Sequence, residues 1–437
     1  MIVGPDEALR AVVSGGARQL LDAAGRRVGE ILTERALLAP DTADEARAWA
    51  AVADLCEAED RRRVGEGQDA WGPDVRERIT QRTIDEIFGM GPMQEACRMP
   101  DAIQVEAQAP DEGWVLLDGD RLARIPLDFA SPDAMAAFIR RKAEQAGHRV
   151  DDASPAVDFA IPGGRFHAVV APVARGLGWS CPIITIRLQR LAQPDLATLE
   201  AAGTFSAAGR HMLAAMVHAR CNIVVSGGSG DGKTTLIQGL LSEIPYGEKV
   251  IVIEELTELR LPTGHRRWGT LEGRRANVEG KGEISLRYLV REAMRQGADR
   301  IILGEARGPE ARDVVHAMNC GAEGSLSSLH ANSPRDALEK LESYCTQGED
   351  SWSPDGARRM IGHAVDVVVQ MGRAPDRRRI VEAISEVERV VGSDIMLNDL
   401  FRADASGELR WCGIVPGGRK AEALRRLGWS PLREVTQ

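Results

Sequence analysis

Apolar positions in the first part of the chain follow the period of an α-helix. Residues 5–66 are rich in Ala, Arg and Glu. Their apolar residues recur three or four positions apart, as at Leu20, Leu21, Ala24, Val28, Ile31 and Leu32. The pattern predicts an N-terminal helical region over residues 1–66. A further amphipathic helix is predicted over Val75–Ile87, and the sequence Gly-Met-Gly-Pro of residues 89–92 ends it.

The region that follows combines short strand patterns with one helix. Short apolar runs predict strands at Ala102–Glu106, Gly113–Leu117, Phe166–Val170 and Pro182–Ile186. A helix is predicted around Ala134–Gln145. This mixture predicts an α+β domain over residues 67–190. Pro, Gly and polar residues then predict an interdomain linker over residues 191–204.

From residue 205 onward, compact apolar runs alternate with helical patterns. The alternating segments are Asn222–Ser226, Thr234–Leu241, Val250–Ile253, Ser285–Arg295, Arg300–Leu303, Ser325–Leu329 and Arg335–Tyr344. Such alternation is typical of an α/β domain in which helices flank a sheet. We predict this domain over residues 205–437, with a C-terminal extension. The basic segment Arg373–Arg379 is interpreted as a solvated hairpin turn.

The strongest chemical signal is a glycine-rich loop between a predicted strand and a predicted helix. The sequence Gly-Gly-Ser-Gly-Asp-Gly-Lys-Thr of residues 227–234 fits the phosphate-binding pattern G-x-x-x-x-G-K-[ST]. Glycines let backbone N–H groups face an anion, Lys233 reaches phosphates, and the Thr234 hydroxyl binds Mg²⁺. The predicted nucleotide-binding residues in this loop are Gly227, Gly228, Ser229, Gly230, Asp231, Gly232, Lys233, Thr234 and Thr235. Asp231 is unusual because it places a carboxylate in a loop that attracts phosphate, and we expect it to point outward.

Two acidic clusters follow apolar strands further along the chain. Glu305 comes directly after the run Arg300–Leu303 and one glycine, and an acidic segment ending at Glu258 follows Val250–Ile253. A nucleotide hydrolase needs carboxylates to hold Mg²⁺ and to orient water. Because parallel strands end at one edge of a sheet, these acids are predicted to converge beside the bound phosphates.

Composition limits the functions that the chain can have. The 437 residues carry 55 Lys and Arg against 65 Asp and Glu, a net charge of −10, which disfavours a protein that coats nucleic acid. Seven scattered Cys without a C-x-x-C pair indicate a reducing cytoplasm. The N-terminus shows no secretory signal, and no apolar run reaches the ~18 residues of a membrane span. Any work at a membrane is therefore expected to be peripheral.

Four ordered motifs beyond the phosphate-binding loop together resemble one family. They are Ile253–Arg260, Leu271–Glu283, Asp299–Ala311 and Met318–Leu338. With the loop, they resemble the ATPase superfamily of type II and type IV secretion systems, most closely the CpaF-type ATPases of Tad/Flp pilus assembly. The resemblance covers about residues 80–415. It implies a RecA-like P-loop ATPase domain preceded by an α+β domain and helices.

The resemblance also implies roles for individual residues. Glu258 is the implied general base, and the implied Mg²⁺ ligands are Thr234, Glu305 and Glu255. The residues implied to act near the phosphates, some from a neighbouring subunit, are Arg274, Arg287 and Arg307. Arg187 is implied to clamp the nucleotide from the N-terminal domain. His330 is implied to sense the γ-phosphate or a neighbouring subunit.

At the level of the whole protein, the resemblance implies a ring, a hexamer in the family, that hydrolyses ATP with Mg²⁺. Such rings dock on inner-membrane platform proteins and act on pilin indirectly. The expected location is the cytoplasm, at the inner face of the membrane, and nucleic acid is not an expected partner.

Two departures from the family pattern keep other functions open. Glu255 stands where the family usually has Asp, and Ala322 replaces the first His of the His-box. Together with Asp231, these changes motivate an alternative, a nucleotide-binding scaffold that hydrolyses weakly, whereas the intact Lys233, Glu258 and Glu305 argue against it. A second alternative is a DNA-directed, conjugation-type ATPase, which would share the same phosphate-binding loop.

Overall fold

The computed structural model divides the chain into two compact units, Met1–Arg190 and Leu191–Gln437. The structure describes residues 16–32, 41–67, 69, 71, 73–119, 121–176, 181–188, 194–260, 262, 264–274, 282–348, 350–392 and 394–427. Within these ranges, no helix is both long enough and apolar enough to cross a bilayer. The division between the units falls at the start of the predicted linker.

Three helices lie in the first described segments of the first unit. They are α1 (Gly16–Ile31), α2 (Thr42–Gly65) and α3 (Pro73–Ile87). Their buried apolar residues, among them Val28 and Val52, form a small core of their own. Asp41 caps α2 by accepting a hydrogen bond from the backbone of Asp44. Helices therefore lie where the apolar spacing predicts them.

An antiparallel sheet with one long helix completes the first unit. The elements are α4 (Gln94–Arg98), β1 (Ala102–Ala107), β2 (Glu112–Leu117), β3 (Arg121–Pro126), α5 (Pro132–Gln145), β4 (Ala156–Ile161), β5 (Gly164–Val169) and β6 (Ile183–Leu188). The strand order is β3-β2-β1-β6-β5-β4, and α5 packs Phe138 and Ile139 into the sheet core. The sequence analysis misses β3 and β4, which are the two edge strands of this sheet.

The second unit is an α/β domain. Its elements are α6 (Leu196–Ala201), α7 (Ala207–His218), β7 (Ile223–Gly227), α8 (Lys233–Leu241), β8 (Val250–Glu254), β9 (Trp268–Glu272), α9 (Leu286–Arg295), β10 (Arg300–Leu303), α10 (Glu310–Asn319), β11 (Leu326–His330), α11 (Pro334–Cys345), α12 (Pro354–Ala364), β12 (Val367–Arg373), β13 (Arg379–Val391), β14 (Asp394–Ala403), β15 (Leu409–Trp411) and α13 (Ala421–Arg426). The sheet order is β15-β14-β13-β12-β7-β11-β10-β8-β9. From β12 to β9 all neighbours are parallel.

Both faces of this sheet are covered. Ile223 and Val225 of β7 pack in a core that includes α7 and α8, whereas Val224 packs in a second core that includes α9 to α12. Successive strand residues point to opposite faces, so a strand covered on both faces is mostly apolar along its length. This explains why β7, β8 and β10 form nearly continuous apolar runs in the sequence.

The segment predicted to be a linker contains a packed helix. Leu196 and Leu199 of α6 are buried in the same core as Val225. A methyl group at Gly239 of α8 would approach Leu199 to 2.8 Å, so the two helices are in close contact. Helix α6 is therefore part of the second unit, and Pro and Gly in this segment mark the boundaries of the helix.

Asn222 joins three elements at the start of β7. Its side chain donates to the carbonyl of Ala364 (2.6 Å) and accepts from the N–H groups of Gly324 and Ser325.

We predict that Asn222→Ala lowers the free energy of unfolding by about 3 kcal/mol, because it leaves buried backbone groups without partners. Urea denaturation measures this, with Asn398→Ala as the control, since Asn398 is half-buried and bonds one carboxylate. Equal midpoints for the two variants would contradict the assignment.

Candidate nucleotide-binding site

The sheet brings several of the predicted site residues to one edge. Strands β7, β11, β10 and β8 are parallel neighbours in that order. Their carboxyl ends carry Gly227, His330, Leu303 and Glu254 respectively. The phosphate-binding loop leaves β7 here, and Glu305 follows β10 by two residues. Ligands of open α/β sheets bind at this edge.

The loop after β7 has the backbone conformation of an anion-binding nest. Gly230 and Gly232 have φ values of +77° and +91°, which other residues rarely adopt. Gly232 is the N-cap of α8, so the positive end of the helix dipole also points at this site. The geometry suits phosphate oxygens, and it agrees with the glycine pattern of the sequence.

Lys233 is buried at the first position of α8 and is held by three groups. Its ammonium donates to the carbonyls of Gly227 (3.1 Å) and Gly228 (2.7 Å). It also lies 3.1 Å from Nδ1 of His330. The charge of this buried lysine is thus satisfied by dipoles of its own loop and by the end of β11.

His330 bridges Lys233 and Glu305. Its Nε2 lies 3.0 Å from Oε1 of Glu305. Burial and the neighbouring Lys233 lower the pKa of His330, which favours the neutral ring. We assign the proton to Nε2, because Nδ1 then accepts from the lysine while Nε2–H faces the carboxylate.

Glu305 has one oxygen that fits a further ligand. Its Oε2 accepts from Arg307 (2.7 Å). Within the described part of the chain, the buried Oε1 accepts no well-formed hydrogen bond despite the nearby imidazole. An oxygen of this kind suits Mg²⁺ or a metal-bound water, which binds to carboxylates.

Arg307 connects the two acids predicted to hold the metal. Besides Glu305, it contacts Glu255 at 3.2 Å. The structure thus links four of the predicted residues, Glu255, Glu305, Arg307 and His330, in a line of contacts that ends at the loop lysine. Arg307 and Glu255 are both about half exposed, so their ion pair contributes little to stability.

Glu254 is a site residue that the sequence analysis misses. It is buried, and its carboxylate accepts from the N–H groups of Glu258 and Leu259. Burial raises the pKa of Glu254 to about 7, although both N–H groups act in the opposite direction. Its side chain also fills the space beside Gly304, where a Cβ would lie 2.8 Å from Cγ of Glu254. Glu254 therefore fixes the backbone of the predicted base. In the sequence, its position at the end of an apolar strand was the feature that could have identified it as a site residue.

The expectation that Asp231 points outward is wrong. Its carboxylate accepts from the N–H of Gly228 (2.8 Å) and from Nε of Arg373 (3.0 Å). Arg379 also donates to the carbonyl of Gly230 (2.9 Å). The hairpin turn predicted for Arg373–Arg379 is present, but the arginines at its two ends contact the loop and are not purely solvated. An exposed Asp231 carboxylate would remove the anion that pairs with Arg373.

Other predicted residues lie in less decisive positions. Thr234 and Thr235 are half-buried in the first turn of α8, and Ser229 is exposed. Arg274 is exposed and donates to the carbonyl of Gly282, beside residues 275–281, which lie outside the described ranges.

Two predicted arginines belong to other local surroundings. Arg287 pairs with Asp313 (2.9 Å) and Asp350 (3.1 Å) on the helical side of the second unit. Arg187 is exposed on β6 of the first unit. The roles of Arg187, Arg274 and Arg287 therefore stay predictions.

Comparison with known proteins agrees with this geometry. Residues 98–395 match the family described as "Type II/IV secretion system protein". The chain belongs to this family. The resemblance inferred from the ordered motifs is thereby confirmed at the level of the type II/IV secretion superfamily, whereas the finer likeness to pilus-assembly ATPases stays a prediction.

Proteins with sequences similar to this chain carry names of conjugal transfer and type IV secretion proteins. A Mycobacterium tuberculosis protein named "Putative conjugal transfer protein" is 36% identical over 305 residues, 68% of this chain and 84% of its own. The conjugal transfer protein TrbB of Rhizobium radiobacter is 25% identical over 65% of this chain and 84% of its own. The type IV secretion system protein VirB11 of Brucella suis is 34% identical over 34% of this chain and 42% of its own.

The buried carboxyl of Glu254 makes stability depend on pH. Its pKa is about 7 in the folded chain against an ordinary value of 4.5, so between these values the folded chain retains a proton that the unfolded chain loses. The free energy of unfolding should therefore fall as the pH rises from 4.5 to 7. We predict that Glu254→Gln makes the free energy of unfolding less dependent on pH in this range. The change in slope should correspond to at most one bound proton.

Denaturation midpoints at several pH values measure the slope. Glu255→Gln is the matched control, because the neighbouring side chain is exposed. A Glu254→Gln slope equal to that of the unsubstituted chain would show that the carboxyl titrates normally.

Proposed function

We propose that the protein is an ATP-hydrolysing motor of a type II/IV secretion-type machine. The observation that carries the proposal is the line of contacts from Lys233 through His330 to Glu305 at the mouth of the phosphate-binding loop. A nucleotide hydrolase requires a phosphate cradle, a cation and a metal-supporting acid at one place. Family membership supports the same conclusion.

The residues of the loop have distinct proposed roles toward ATP. Backbone N–H groups and Lys233 hold the β- and γ-phosphates, and Thr234 with Glu305 holds Mg²⁺. When bound, the metal neutralises phosphate charge. Glu258 accepts the proton of the attacking water, and Glu254 holds the backbone of Glu258 through the N–H bond. Neutral His330 contacts Lys233 and therefore responds to changes in the phosphate-binding loop.

The wider proposal concerns assembly. Subunits form a ring, a hexamer by resemblance, in which Arg274 or Arg287 acts on the nucleotide of a neighbour. The ring docks on inner-membrane platform proteins at the cytoplasmic face and drives pilin polymerisation or protein export. Support comes from the motif resemblance to pilus-assembly ATPases and from the family match.

The catalytic assignment is tested by two substitutions. We expect Lys233→Ala to abolish nucleotide binding, because it removes the cation that faces the phosphates. Glu258→Gln should preserve binding but reduce ATP turnover by about 10²–10⁴-fold, the usual contribution of a general base. Calorimetric binding and steady-state phosphate release measure the two effects.

Glu339→Gln is the matched control for Glu258→Gln, since Glu339 is exposed on α11. Normal hydrolysis by Glu258→Gln would remove Glu258 from the role of base. Binding without turnover in the unsubstituted chain would instead support the scaffold alternative, which Glu255 and Ala322 suggest.

A DNA-directed motor is the second candidate, because two relatives carry names of conjugal transfer proteins. The net charge of −10 weighs against it. We predict that DNA at physiological salt leaves ATP turnover within about twofold of the basal rate, since sequence-independent DNA binding requires basic surface. Phosphate release with and without single- and double-stranded DNA measures this. Strong stimulation that weakens as salt increases would favour the DNA motor.

A further inference from the structure

The hairpin of β12 and β13 presents two arginines on one face. Arg373 and Arg379 are directly opposite each other in the register of the hairpin. Side chains at opposite positions lie on the same face, and like charges there destabilise a hairpin unless an anion lies between or beside them. The pair therefore requires a nearby source of negative charge.

The phosphate-binding loop supplies that charge in the described structure. Arg373 Nε is 3.0 Å from Oδ1 of Asp231, and Arg379 Nε donates to the carbonyl of Gly230 at 2.9 Å. A Cβ at Gly232 would lie 3.2 Å from Cδ of Arg379, so the hairpin packs directly on the loop. The contact joins residues 142 positions apart in the sequence.

The negative charge of Asp231 disfavours anion binding at the loop unless a cation neutralises it. Its carboxylate lies within the loop and accepts from the N–H of Gly228. Burial raises the pKa of the Glu382 carboxyl of β13, and the negative charge of Asp231 raises it further. A phosphate chain bound to the same loop would feel the same repulsion.

We propose that Arg373 is a positioning residue for nucleotide binding, which it supports by neutralising Asp231 and holding its carboxylate against Gly228. The inference rests on the proposed nucleotide-binding function. Arg373 acts through Asp231. Its removal therefore leaves an unpaired carboxylate in the phosphate-binding loop, and its importance depends on the presence of that carboxylate.

The test is a double-mutant cycle on nucleotide affinity in the full chain. ADP with Mg²⁺ is titrated calorimetrically into the unsubstituted chain, Arg373→Ala, Asp231→Asn and the double variant. We expect Arg373→Ala to weaken ADP binding about tenfold, and less at high salt, because the lost pairing is electrostatic. Asp231→Asn removes the carboxylate that Arg373 neutralises, so adding Arg373→Ala to it should change affinity by less than about twofold.

Arg378→Ala is the matched control, because it removes the same charge from the same turn while its contacts are with Asp376 and Gly203. It should leave ADP affinity unchanged. Thermal unfolding verifies that each variant is folded, and Arg373→Gln, which keeps a long polar side chain without the charge, replaces Arg373→Ala if the latter fails to fold.

The outcomes separate this proposal from the function on which it rests. Affinity that Arg373→Ala leaves unchanged overturns the proposal alone. A double variant as weak as Arg373→Ala also overturns it, since Arg373 would then contact the nucleotide without Asp231. Absence of ADP binding by the unsubstituted chain overturns both the proposed function and this inference.

Discussion

The position of β11 between β7 and β10 determines the site. Neighbouring strands lie about 4.8 Å apart, so the ends of β7 and β10 are separated by roughly 10 Å. A lysine starting beside one strand and a glutamate following the other need an intermediary. His330, the last residue of β11, contacts Lys233 on one side and lies 3.0 Å from Glu305 on the other. Strand order therefore turns three separate chain segments into one connected group.

The second unit has buried charged residues near both ends of its parallel strands, and mostly apolar residues between them. At the functional edge, Lys233 and Glu254 are buried and are held by backbone groups. At the opposite end, Arg300 is fully buried and pairs with Glu248 through two bonds. A buried charge is tolerated only with close partners. At the functional edge, Lys233 is held by two carbonyls of the loop and by His330, whereas Glu254 is held by the N–H groups of residues 258 and 259.

Local patterns predict the elements but not how they meet. The strand Arg300–Leu303 and the loop of residues 227–234 are contiguous signals, so the chain alone indicates them. The contact of Arg373 with Asp231 spans 142 positions and depends on β12 lying beside β7, which no local pattern encodes. For the same reason, Asp231 is wrongly expected to face solvent. Glu254 is not predicted as a site residue because its role depends on burial and on hydrogen bonds from two N–H groups. Neither feature can be recognised in a short acidic segment of the sequence.

Four acids near the loop already have a cationic or N–H partner in the described structure. Arg307 pairs with Glu305 and Glu255, and Arg373 pairs with Asp231. Two backbone N–H groups donate hydrogen bonds to Glu254. Under the proposed function, a nucleotide with Mg²⁺ brings both a polyanion and a cation into this balanced set. Arg307 would be attracted by the phosphates and repelled by the metal, so its pairs with Glu305 and Glu255 would weaken if those acids held Mg²⁺. Nucleotide binding would therefore affect the residues that follow β8 and β10.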